Sequence, residues 1–150
     1  MKVAKILLLS IAGSVSAVAD AQQEGERLFS LKVRQVLSSK CFACHGEESK
    51  KIKGEFDLTT REGLLKGGES EEPGMVPGKP EVSSIVLAIE RKDEDLAMPP
   101  KENDKLTSSQ VDVIKRWIAL GAPWPNMEAQ AKYIAEERAK VRTDEGVLVK

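Results

Sequence analysis

The sequence predicts a single, mostly helical (all-α) domain. Three observations carry that prediction. Apolar residues recur at three- and four-residue spacings near residues 29–37 and 111–120. No stretch alternates convincingly with the period of two that a strand requires. Between the two helical stretches, clusters of proline and glycine break the chain into turns and short pieces. A length of 150 residues suits one domain, or one domain with tails.

The N-terminus sets the boundaries. Lys2 and Lys5 flank the start of an apolar run, ILLLSIAGSVSAVA, which ends in Ala17-Val18-Ala19 before Asp20. This is the layout of a cleavable secretory signal over residues 1–19. The run is short for a membrane span, so no membrane insertion is expected after cleavage. No cysteine lies near the cleavage point to carry a lipid. Removal of the segment takes the formal net charge from −1 to −3. The mature chain is expected in a bacterial periplasm or an equivalent exported space.

Residues 20–26 read as polar and loose. From Glu24 to about Ser38, Phe29, Val33, Val36 and Leu37 form one apolar helical face that leads straight into Cys41. GEESKKIKGEF reads as a charged surface loop, followed by the spaced apolar residues of FDLTTREGLLKGG. GGESEEPGMVPGKPE is irregular. Pro80 suits the first turn of a helix, with Val82, Ile85, Val86 and Ile89 as its apolar stripe. Pro99 and Pro100 stop helical structure and hold Met98 in an extended segment. In LTSSQVDVIKRWIALGAPWP, Thr107 and Gln110 have capping-box spacing. Val111, Ile114 and Ile118 share a face that Val113, Trp117 and Leu120 widen. Gly121 and Pro123 end that helix. Phe29 and Trp117 are expected to pack the first and last helices together. The domain thus runs over residues 24–125. Residues 126–150 are polar, and EAQAKYIAEERAK within them reads as a further helix, a linker or a tail.

Composition narrows the function. Charges of both signs are mixed, and no basic block offers a nucleic-acid surface. Only 4% of residues are aromatic, so a modest core gains from a cofactor with its own hydrophobic bulk. The only cysteines, Cys41 and Cys44, and the only histidine, His45, fall in one run, SSKCFACHGEES. Covalent haem attachment needs two thiols at fixed separation for two vinyl groups and an imidazole next to them for the iron; the run meets that demand. A thiol–disulfide exchanger also uses Cys-x-x-Cys, but within a βαβ unit that is not seen here. A zinc site needs further ligands, which only carboxylates could supply. A purely structural disulfide is the remaining alternative.

With His45 as proximal ligand, no second histidine exists, so a methionine is the natural sixth ligand. Met98 ranks first: it lies far enough along for the chain to wrap round the ring, and Pro99-Pro100 restrict it. Met75, in a Gly/Pro loop, ranks second and Met127 third. The other reading of Met98 is plain core packing.

These residues carry a resemblance. LKVRQVLSSKCFACHG, FDLTTREGLLKGG, VPGKPEVSSIV, LAMPP and LTSSQVDVIKRWIALGAPWP, over residues 28–125, resemble a class I c-type cytochrome domain of the type found in planctomycete and related bacterial proteins. The resemblance implies a cytochrome c-like, all-helical fold around one haem c. It implies a proximal ligand at His45 and a ligand methionine before paired prolines at Met98. In such proteins the domain often precedes large additional domains. This sequence stops at Lys150, as a stand-alone carrier or a piece of a longer reading frame.

Lys79 in the Val76–Pro80 turn and Arg61 are candidate partners of haem propionates, with solvent-facing charge as the alternative. Lys50, Lys51 and Lys53 form a small basic patch suited to steering an acidic redox partner. Without haem the chain is expected to fold poorly. The function expected is one-electron transfer with redox partner proteins by a monomer, not enzymatic catalysis. The alternatives are a haem peroxidase or ligand sensor with an open sixth position, and a binding module stapled by haem.

Overall fold

The computed structural model describes residues 12–46 and 52–144. Among them every regular element is helical and no strand occurs. The first helix is longer than the sequence suggests. α1 (Ala12–Leu28), a π-helical turn (Phe29–Val33) and α2 (Arg34–Lys40) run on without a break. The Arg34 N–H donates to the Phe29 carbonyl, five residues back, which widens the turn. The widening keeps Phe29, Ser30 and Val33 inside together with Val36 and Leu37 of α2. The predicted face of Phe29, Val33, Val36 and Leu37 is therefore the buried one.

Residues 20–26 are helical rather than loose. Their partners lie far along the chain. Arg116 Nε donates to Glu24 at 3.0 Å, and the Tyr133 hydroxyl donates to Glu26 at 3.0 Å. Arg27 pairs with Glu136 and Glu137. Gly25 lets the helix touch the 121–125 turn: a Cβ there would lie 2.5 Å from Pro123 Cγ. Local polarity hid this helix because tertiary contacts fix it. The boundary expected after Ala19 falls inside α1, and residues 1–11 lie outside the described residues.

The middle of the chain is made of short pieces. α3 (Phe42–His45) is one turn, and α4 (Arg61–Lys66) starts at Thr60, whose side chain accepts from Gly63 N. A 3-10 turn at Pro80–Val82 leads into α5 (Ser84–Glu90). Ile85, Val86 and Ile89 of the predicted stripe are buried, but Val82 is exposed. Val82 sits on the 3-10 turn, whose three-residue period rotates it off the α5 stripe.

α6 (Ser108–Ala119) carries the predicted capping box: Thr107 accepts from Gln110 N, and Gln110 accepts from Thr107 N. Its core-facing residues Ile114, Trp117 and Ile118 are fully buried. Phe29 and Trp117 stack at 5.5 Å between ring centroids, as expected. Trp124 completes the cluster 4.3 Å from Phe29. Trp117 Nε1 donates to the Pro123 carbonyl at 2.8 Å, so the buried indole leaves no orphan donor.

α7 (Met127–Asp144) docks against the first helix. Tyr133 and Gln130 are its buried residues, and Gln130 Nε2 donates to the Pro125 carbonyl at 2.7 Å. Burial, and then the bond to Glu26, push the Tyr133 hydroxyl above its ordinary value of 10.0, so it stays a neutral donor. Exposed ion pairs contribute little each. The docking of this polar helix therefore rests on Tyr133 and Gln130.

Two predictions follow from this packing. Phe29→Ala empties the space between Trp117 and Trp124 and should cost about 3–5 kcal/mol, read as a lower urea midpoint. Glu90 of α5 accepts from Lys115 of α6 at 2.6 Å and pairs with Lys92 at 2.7 Å. The Lys115 bond first, then Lys92, hold its carboxyl below the ordinary 4.5. A depressed carboxyl stabilises the fold above its unfolded pKa, and that contribution is lost as pH falls through the folded value. Glu90→Gln should therefore flatten the fall in melting temperature below pH 4.5. An acid limb identical to that of the parent protein would contradict this.

Candidate functional site

Cys41, Cys44 and His45 sit where the first helix ends. Cys41 leaves helical geometry at φ −122°, and its N–H still donates to the Leu37 carbonyl at 2.9 Å. Its own carbonyl then accepts from Cys44 N at 3.1 Å and His45 N at 2.9 Å. One turn thus carries both thiols and the imidazole. Cys41 and Cys44 are free thiols.

His45 is fixed at three points. Its N–H is held by Cys41, its carbonyl accepts from Leu58 N at 2.9 Å, and its Nδ1 lies 3.2 Å from the Phe56 carbonyl. A carbonyl can only accept, so Nδ1 carries the proton. Nε2 is left with its lone pair, the tautomer a metal ligand needs. The Phe56 ring also meets the His45 ring edge-on, at 5.9 Å and 70°. Phe56 in turn lies over Gly74, where a Cβ would come within 2.2 Å of the ring. Nothing in the sequence singles out Phe56, because a backbone carbonyl acceptor is available from any residue type.

Burial, followed by the neighbouring Cys44, pushes the Cys41 thiol up to about 11. A thiol–disulfide exchanger needs the opposite shift, toward a standing thiolate. Among the described residues, no group of three or more His, Cys, Asp and Glu side chains is placed to hold a metal ion.

The three candidate methionines differ sharply. Met75 is 1% exposed inside the core, Met127 is 66% exposed on α7, and Met98 is 38% exposed. Met98 N donates to the Ala88 carbonyl at 3.0 Å, which ties the loop to α5. Among the described residues, four of the seven exposed large apolar side chains, Val82, Leu87, Leu96 and Met98, fall within residues 82–98. The two free thiols and the imidazole beside them are consistent with haem c attachment.

The two candidate propionate partners are placed differently. Arg61 is half-buried, and its Nε and Nη2 donate to the carbonyls of Ala122 at 3.0 Å and Gly121 at 3.4 Å. It caps the carbonyl end of α6, where a cation is favoured. A propionate would have to use its remaining N–H groups. Lys79 is exposed at the end of a tight turn, with Lys79 N donating to Val76 O at 2.9 Å and Gly78 at φ 80°. The turn's amides are already used: Val76 N donates to Ser83 Oγ and Gly78 N to Ile118 O. That leaves the Lys79 ammonium as the donor of this turn that could meet an anion. Buried Ser83, which also donates to the Lys79 carbonyl at 2.9 Å, is a hub the sequence does not reveal. Lys53 is exposed, whereas Lys50 and Lys51 lie outside the described residues.

Residues 41–102 match the family model described as Planctomycete cytochrome C. The match begins at Cys41, includes Met98 and spans less than half of the chain; it supports a class I c-type cytochrome domain in this segment. Searches of curated proteins and of solved structures find no match to the chain. No described helix is long and apolar enough to cross a membrane.

Proposed function

We propose that the c-type cytochrome domain makes this chain a periplasmic, mono-haem carrier of single electrons. The observation that supports it most is the His45 imidazole, held through Nδ1 to Phe56 so that Nε2 is free to ligate. Haem c, when bound, supplies a one-electron ferric/ferrous couple. The chain's own residues do the rest. Cys41 and Cys44 hold the group by thioether bonds at the end of α2. His45 keeps its proton on Nδ1 and offers Nε2 as proximal ligand. The Phe56 edge keeps the imidazole from rotating. Met98 offers a soft thioether as the sixth ligand, which raises the potential relative to two imidazoles.

Met98 suits this role better than its rivals for a physical reason. Met75 would have to leave the core, and Met127 sits on a helix docked elsewhere. Lys79 and the free N–H groups of Arg61 are the proposed propionate contacts. Lys53, with Lys50 and Lys51 in sequence, is proposed to steer an acidic redox partner to a monomeric carrier. Residues 1–19 are proposed as a cleaved signal, with 24–125 as the haem domain and 126–150 as its C-terminal extension. The exposure of Met98 supports a second reading, a peroxidase or ligand sensor with an exchangeable sixth position.

The intact mass of the exported protein tests the first reading. It should equal residues 20–150 plus one haem, and a haem-free mass would overturn it. Met98→Ala should abolish the thioether-to-iron charge-transfer band of the ferric protein and lower its potential. A parent protein that is already high-spin would favour the second reading. The Cys41→Ala/Cys44→Ala variant should lose its near-UV circular dichroism, because the core loses its central apolar body. A native-like spectrum would show that the helical frame folds without haem.

A further inference from the structure

Arg91 occupies a position that ordinarily belongs to glycine. It follows the last residue of α5 with φ 54° and ψ 32°, the left-handed conformation that closes helices. A side chain with a Cβ costs about 1–2 kcal/mol there. That cost makes sense if the side chain has work to do. Its side chain is 21% exposed, and the guanidinium donates through Nη1 to the Pro99 carbonyl and through Nη2 to Glu102 at 3.0 Å. Glu102 is also held by Lys105 at 2.5 Å.

The loop it reaches has few other handles. Pro99 and Pro100 carry no N–H, so the two residues after Met98 can be anchored by backbone only through their carbonyls. On the other side, Met98 N is tied to the Ala88 carbonyl. The Met98–Pro99 unit is thus held at both ends by the last turn and cap of α5.

We propose that Arg91 is the positioning residue for Met98: by clamping the Pro99 carbonyl and Glu102, it holds the half-exposed thioether in place and sets how readily the sixth position opens. This rests on the reading of Met98 as axial ligand. The clamp depends on geometry, because one planar guanidinium reaches two separate oxygens at once. A lysine keeps the charge and loses the fork.

The experiment uses the full-length haem-loaded protein, the variants Arg91→Met, Arg91→Lys and Glu102→Gln, and imidazole as the probe for the sixth position. Arg91→Met should bind imidazole about tenfold more tightly than the parent protein, equivalent to about 1.4 kcal/mol. Arg91→Lys and Glu102→Gln should fall between the two. Hydrogen exchange at the Met98 amide should accelerate in the same order, a readout that does not depend on iron ligation. Unchanged imidazole affinity and unchanged Met98 exchange in Arg91→Met would overturn the clamp. If Arg91→Met fails to fold, Glu102→Gln decides alone, since its carboxylate is exposed, and no change there would count against the clamp. A Met98→Ala protein with the same spectrum and imidazole affinity as the parent would instead overturn Met98 ligation. In that case faster Met98 exchange would show a clamp that holds the loop without serving the iron, and the positioning role would be lost.

Discussion

The hydrogen bond from His45 Nδ1 to the Phe56 carbonyl is the constraint on which the rest of the site depends. It sets the tautomer and the direction of the ring in one contact. It also dictates the path of the chain after the motif. Residues 56–58 must return alongside His45, so Leu58 N closes on the His45 carbonyl. Gly74 must stay without a side chain, because the Phe56 ring occupies that space. Residues 41–46 and 56–58, with Gly74, are therefore arranged around the His45 imidazole, whose Nδ1 faces the Phe56 carbonyl.

A helical frame carries this site. The first helix, α6 and the 121–125 turn meet around Phe29, Trp117 and Trp124. The functional loops are then fastened to the frame at few points. Arg61 and Gly78 both bind carbonyls at the end of α6, and Glu90 ties α5 to Lys115. This arrangement puts rigid packing on one side and short, individually anchored turns on the other. Such a division suits the proposed redox role, in which the ligands would have to keep their geometry while the metal changes charge.

The two proposed ligands are held in contrasting ways. His45 is fixed at three points within the packed motif turn. Met98 sits on a half-exposed loop with backbone anchors to Ala88 and, through Arg91, at Pro99. Loops with few buried contacts open at lower free energy than cores. Any exchange of ligand should therefore occur on the methionine side, where the apolar residues of the 82–98 stretch are also exposed.

The sequence by itself determined the chemistry and much of the frame. Three scarce residues in one run defined the thiols and the imidazole. The 3.6-residue pattern identified Phe29, Val33, Val36 and Leu37, and the capping box fixed the start of α6. These features are legible because they are local: spacing and residue type suffice. Tertiary structure decided what depends on distant partners. Residues 20–26 became helix through Arg116, Tyr133, Glu136, Glu137 and Pro123. Polar α7 docked through two buried residues that no periodicity announces. Phe56 gained its role through a backbone carbonyl, and Arg61 was drawn to the end of α6. Arg91 belongs with these, since its sequence neighbours are unremarkable and its contacts to Pro99 and Glu102 set it apart from the other residues with positive φ. Backbone acceptors and long-range ion pairs leave no trace in residue order, because what matters is where the chain returns and not which residue returns there.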